Sequence, residues 1–192
     1  PVMLFGTAVA ACSGFAYVAV GHLDNVAFAV SGFLMVRLLH GMSTGFRPTG
    51  TSAFLTDIVP VARRGEALGY LGVAGNAGMA LGPALGSWLA VDFGYDAMFL
   101  ASSVLGFLSY VMTQRLPETL SNPRPVQWSD LNVFQGGTLE PAAWPASFFL
   151  LPVAIAFGTF LTITPDLVEG LGFVYKGSFN TVVVVASIGM RL

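Results

Sequence analysis

The run from Ala67 to Val91 carries no charged residue, yet it is punctuated by Gly69, Gly78, Gly82, Pro83 and Gly86. A stretch of this length crosses a hydrocarbon core of about 30 Å as a helix. Glycine inside a helix is unfavourable in water, whereas in lipid small residues let a second helix approach closely. Gly78, Gly82 and Gly86 are four apart and share one helix face. The run therefore reads as a membrane helix made to pack against another element.

Composition places the whole chain in the same class. Of 192 residues 55% are hydrophobic and 9% charged, with a mean hydropathy of +0.75, where soluble domains carry about 25% charge. A net charge of −2 and the lack of a Lys/Arg cluster exclude a nucleic-acid partner. Cys12 is the lone cysteine, so no intrachain disulfide forms, and its apolar setting suggests packing. The chain starts at Pro1 and stops inside an apolar run at Leu192, which reads as the middle of a longer protein.

Six apolar stretches stand out: Val2–Val20, Val26–Thr56, Glu66–Val91, Asp96–Gln114, Ala142–Thr164 and Phe179–Leu192. The expected fold is an all-α polytopic membrane protein. Val2–Val20 lacks the basic leader of a signal peptide and is followed by further spans, so it is read as a span itself. Arg63, Arg64, Arg115, Arg124 and Arg191 fall on one side of the spans. The opposite loops hold Lys176 beside Asp24, Asp92, Asp96, Asp166 and Glu169. The positive-inside rule makes the arginine side cytoplasmic, including segments 57–66 and 116–141. Leu116–Pro141, with four prolines and Gly136-Gly137, divides residues 1–115 from residues 142–192. Within it Trp128, Leu131 and Phe134 suit one side of a short interfacial helix, or an irregular linker with aromatics dipping into the membrane.

Charges inside the second span are the candidate chemistry. An arginine at the bilayer centre costs about 2.5–3.5 kcal/mol on insertion scales, so it faces protein or a wet cavity. At about 100° per residue, Arg37, His40, Thr44, Arg47 and Thr51 fall in an arc of about 80°. The stripe is about 20 Å long and is expected to line a translocation pathway, with His40 able to titrate near neutral pH. Pro48 is expected to bend the helix. The structural alternative is that Arg37 caps carbonyls of a neighbouring helix and Arg47 snorkels. No metal site is expected, because His22 falls in an outside loop and no carboxylate accompanies His40. Asp57 opposes its own helix dipole and needs a cation, with Arg63 and Arg64 the nearest. The three form either a latch at the cytoplasmic mouth or a solvated cluster that only sets topology.

Three local patterns resemble the major facilitator superfamily, whose members move small solutes by rocking two six-helix halves about a central site. Gly69-x8-Gly78-x3-Gly82-Pro83-x2-Gly86-Ser87 is similar to its fifth-helix antiporter motif, with serine replacing the last glycine. Arg37-Leu38-Leu39-His40-Gly41 is similar to its fourth-helix R-x-x-Q-G motif, with histidine in place of glutamine. Asp57-x2-Pro60-x3-Arg64-Gly65 resembles the passage between those helices, and Leu116-Pro117-Glu118-Thr119 the end of helix six.

The resemblance covers essentially the whole chain and implies helices three to eight of twelve. It implies no enzyme activity and no cofactor. The glycine motif implies proton-coupled efflux and a position near the eighth helix, here the segment from Asn180 to Gly189. The arginine motif gives Arg37 a role in proton movement, which the departure at His40 puts in question. The function expected is secondary transport in the inner or plasma membrane, exporting a small organic solute against protons. A proton symporter or facilitator of sugars or other metabolites is the alternative, and a non-transporting receptor or scaffold the reading from another class. An intramembrane protease is disfavoured, since Ala11-Cys12-Ser13-Gly14 lacks that site's first glycine.

Overall fold

In hydrocarbon every backbone N–H and C=O must find a partner within the protein, and a helix does this within one segment. The computed structural model, which describes residues 2–119 and 144–189, is built accordingly. Among these residues the helices are α1 (Val2–Gly21), α2 (Val26–Ile58), α3 (Arg64–Asp92), α4 (Tyr95–Gln114), α5 (Trp144–Gly170) and α6 (Gly177–Gly189). One unit holds α1–α4 and α6; the other holds α5. Four helices, α1, α2, α4 and α5, are long and apolar enough to cross a membrane. The 29-residue α3 is long enough, but its glycines add little hydropathy, and α6 has 13 residues.

The ends follow local chemistry. Asn25 caps α2, its Oδ1 accepting from the amides of Ala27 and Phe28 at 2.9 and 3.3 Å. Gly94, at φ 88°, supplies the left-handed turn between α3 and α4. Helix α2 continues through Pro48 to Ile58. One expectation needs correction: α5 does not stop near Thr164 but continues through Pro165 to Gly170, so Asp166 and Glu169 lie on a helix rather than in a loop. Glycine ends it instead: Gly172 at φ 85° lets the Phe173 amide reach the Val168 carbonyl at 3.2 Å. The interfacial helix expected around Trp128, Leu131 and Phe134 lies outside the described residues.

Within the larger unit α1 packs on α4 and α2, while α3 packs on α6, α4 and α2. The closest approaches are all made by small residues. A Cβ on Gly14 would overlap the Phe99 carbonyl and Ser103 Oγ of α4, and one on Gly106 would sit 2.8 Å from Ala11 Cα. Ser103 is fully buried there, and its Oγ accepts from the Phe15 amide at 3.1 Å. Against α2, a Cβ on Gly6 would lie 2.9 Å from Arg47 Cγ, and one on Gly32 would lie 2.9 Å from Val20. A Cβ on Gly50 would lie 2.5 Å from Met3 Cγ, so the glycines that carry helix packing in α1–α4 are Gly6, Gly14, Gly32, Gly50 and Gly106.

The expectation for the α3 glycines is correspondingly revised. A Cβ on Gly69, Gly78 or Gly82 meets nothing within 4 Å, and one on Gly86 meets only Met98 at 3.9 Å. Helix α3 does pack on α6, through its Ala80–Ala84 turn. Thr181 Oγ1 donates to the Ala80 carbonyl at 2.5 Å, and Gly177 sits against the Pro83 carbonyl.

Overpacking a tight contact costs about 1–3 kcal/mol or more, whereas replacing an unhindered helical glycine by alanine gains about 0.5–1 kcal/mol. Gly14→Val is therefore expected to lower the melting temperature and membrane abundance of the protein. Gly78→Ala is expected to leave both unchanged or slightly raised. Thermal unfolding in detergent with quantified membrane abundance tests the pair, and equal behaviour of the two variants would contradict the α1–α4 crossing described.

Candidate functional site

Because Gly14 and Gly106 draw α1 and α4 together along one line, the faces on either side of that line diverge, and α2 and α3 close the space. The result is a cavity of about 970 Å³, at the upper end of the usual range for small-molecule sites. Helix α1 contributes Ser13 and Tyr17; α2 contributes Phe33, Arg37, His40 and Arg47; α3 contributes Gly82, Leu85 and Gly86; α4 contributes Met98, Phe99, Leu105 and Ser109. Its wall is mainly apolar, with the charged groups all on α2.

Arg37, His40 and Arg47 of the expected stripe come together on this cavity. Arg37 is exposed, and His40 and Arg47 are half-buried. His40 Nδ1 and Arg47 Nε are buried without a hydrogen-bond partner. Thr44 does not join them: its hydroxyl donates to the Gly41 carbonyl at 2.6 Å on the exposed side. Thr51 likewise donates to its own helix, at the Arg47 carbonyl, 2.8 Å away. A hydroxyl in a helix has carbonyls one turn back within reach, and that local bond removes both threonines from the polar lining.

The α3 motif divides similarly. Gly82 and Gly86 line the cavity, where the missing side chains widen it. Pro83 faces α6, while Gly69 and Gly78 are exposed and touch neither.

Asp57, Arg63 and Arg64 do not form the latch considered from the sequence. Asp57 accepts from Thr119 Oγ1 at 2.8 Å, tying the end of α2 to the segment after α4. Arg63 donates to Glu66 through Nε at 2.9 Å and through a terminal nitrogen at 3.0 Å. That hydrogen bond raises the Arg63 pKa above its ordinary value. Its position, three residues along the start of α3, also places Glu66 at the positive end of the helix dipole. At the opposite ends of the helices His22 Nε2 and Asp96 Oδ2 are 2.9 Å apart, joining the α1–α2 loop to α4.

Tyr17 is the main residue that the sequence did not single out. It is 8% exposed, its ring stacks on Phe99 at 4.9 Å and Phe33 at 5.7 Å, and His40 lies 6.0 Å away. Its hydroxyl has no partner. The signal was a phenol inside an otherwise apolar span, a residue that ordinarily seeks a polar contact when buried. The α4 wall had no such signal, since α4 carries no charge between Asp96 and Gln114. Ser13, by contrast, is satisfied within α1 by the Ala10 carbonyl at 2.8 Å, and Cys12 is exposed rather than packed. Among the described residues no group of His, Cys, Asp and Glu is arranged to hold a metal ion.

The family model of the Major Facilitator Superfamily matches residues 1–192. Multidrug resistance protein 1 of Bacillus subtilis (strain 168) is 32% identical over 102 residues, covering 50% of this chain and 26% of that protein. Quinolone resistance protein NorA of Staphylococcus aureus (strain MRSA252) is 25% identical over 142 residues, covering 73% of this chain and 34% of that protein. The same protein from strain Mu50 / ATCC 700699 is 26% identical over 137 residues, covering 71% and 32%. The chain thus spans about a quarter to a third of the length of these relatives. No solved structure matches.

The cavity makes a direct accessibility prediction. In a Cys12→Ser background, Ser102→Cys on the cavity wall is expected to react with a small hydrophilic thiol reagent. Ser43→Cys, at a fully buried position in α2, is expected to react slower by about tenfold or more, since thiol reactivity follows exposure. Equal protection of both would show that the space is closed to water.

Proposed function

The chain belongs to the major facilitator superfamily, and we propose on that premise that its whole protein is a secondary transporter exporting small organic solutes in exchange for protons. It is an integral, multi-pass membrane protein; the cytoplasmic (plasma) membrane is the membrane proposed. The observation that carries the reading is the cavity of about 970 Å³ with two arginines and a histidine on one otherwise apolar wall. Intramembrane charge is retained where it acts on a solute, an ion or a proton. A drug-sized solute fits this volume. Similarity to proteins named for multidrug and quinolone resistance supports efflux as the direction.

Roles follow from position. Arg37 and His40 are assigned to coupling, because a titratable imidazole one turn from a fixed cation changes affinity for its proton as the cavity opens to either side. Gly82 and Gly86 leave room for solute on the α3 wall. Asp57, Arg63 and Arg64 are assigned to the cytoplasmic gate, now in the form of a partner exchange. Asp57 leaves Thr119, Arg63 leaves Glu66, and the freed charges pair across the mouth when it closes. All are solvent-exposed, so such an exchange is weakly opposed.

The test is transport by the whole protein in proteoliposomes under an imposed pH gradient, with a panel of lipophilic drugs and metabolites. Solute movement opposite to the proton flux is expected, and movement with the protons would establish import instead. Arg37→Ala is expected to lower coupled flux by about tenfold or more, equivalent to about 1.4 kcal/mol, with membrane abundance close to the parent. Undiminished flux in that variant would remove Arg37 from the mechanism.

A further inference from the structure

The charge of the cavity has one sign. Arg37 and Arg47 line it, and among the described residues no aspartate or glutamate does. The arginines are ten residues apart on α2, about 15 Å along the helix axis, with His40 between them. Three polar atoms at this wall are buried with hydrogen-bonding capacity unused: Tyr17 Oη, His40 Nδ1 and Arg47 Nε. Arg47 Nε is a donor in every protonation state of the side chain, and the Tyr17 phenol carries a donor hydrogen. Beside them Tyr17, Phe33 and Phe99 form a stacked aromatic face.

We propose that this cavity selects organic anions: a flat apolar body bearing one carboxylate or sulfonate, with the body on the Tyr17–Phe33–Phe99 face and the anionic group held by Arg37 or Arg47. The inference rests on the reading of the cavity as the solute site and names the solute class. Two arginines in a low-dielectric wall repel a cation and leave a neutral solute without a charged partner. An anion satisfies a guanidinium with charge-assisted hydrogen bonds, which are shorter and about twice as strong as neutral ones. The spacing of the arginines suits a solute that passes from one to the other, since each is a separate station on the same wall.

A matched set of probes tests this in the whole protein: pyrene-1-sulfonate, 1-pyrenemethanol and 1-pyrenemethylammonium share one apolar body and differ in charge. Binding is measured by equilibrium dialysis on nanodisc-embedded protein against protein-free nanodiscs, with no gradient imposed. The sulfonate is expected to bind about tenfold more tightly than the other two, a difference of about 1.4 kcal/mol. Arg37→Gln and Arg47→Gln are each expected to weaken sulfonate binding about fivefold and leave the methanol unchanged, because only the anion uses the charge. Arg37→Lys keeps the preference, and Tyr17→Phe, which removes a single hydroxyl, weakens the sulfonate alone by about threefold. Should a glutamine variant fail to reach the membrane, the lysine and phenylalanine variants carry the test. Tightest binding of the methylammonium, or equal weakening of all three probes by the substitutions, would overturn the proposal. Arginine-dependent sulfonate binding without flux of any probe in proteoliposomes would uphold the anion site and count against transport. Flux of the cationic or neutral probe with no sulfonate binding would uphold transport and overturn the anion site.

Discussion

The structure depends on how closely α1 and α4 can approach. At Gly14 the two backbones are near enough that a methyl group would overlap the Phe99 carbonyl, and the fully buried Ser103 hydroxyl bridges the gap to the Phe15 amide. In lipid there is no hydrophobic force to bring helices together, so van der Waals contact and interhelical hydrogen bonds must do it. Gly106 against Ala11 repeats the approach about one turn nearer the N-terminus of α1. This contact sets the angle between the helices and hence the space beside them.

That space makes the charges of α2 tolerable. Arg37 and Arg47 are costly in hydrocarbon, and in this arrangement both border a cavity instead. The stem of Arg47 lies along Gly6, where a larger residue would displace it, so the same small-residue packing that joins α1 to its neighbours also positions the guanidinium. Arg47 Nε and His40 Nδ1 are buried without a protein partner, which leaves both free to bond to whatever enters the cavity.

Much of this was legible along the chain. The approximate helix spans followed from apolar length and the charged turns, and Arg37, His40 and Arg47 were separated from the rest by the cost of charge in lipid. Where the reading went astray, the competing interaction is identifiable. Thr44 and Thr51 share the arginine face by angle, but their hydroxyls bond to their own helix. Gly78 and Gly82 have the spacing of a packing motif, yet Gly82 faces a cavity and Gly78 open space, while Pro83 meets α6. Periodicity states which residues share a face and not what that face meets. Asp57 has cations nearby in sequence, but Thr119 is its partner in space, and Glu66 is a better-placed acceptor for Arg63.

The class of solution is written in the composition of the segments: lipid forbids unpaired backbone, so apolar stretches of this length become helices, and the few charges among them are drawn to an interior. Which glycines are contacts and which are walls, that Tyr17 and the uncharged α4 face the arginines, and that Arg63 finds Glu66 were set only by the tertiary arrangement. The reason is physical. Segment composition sets the free energy of leaving water, which is local, whereas helix crossing angles arise from the shape of two surfaces together, and no single segment encodes them.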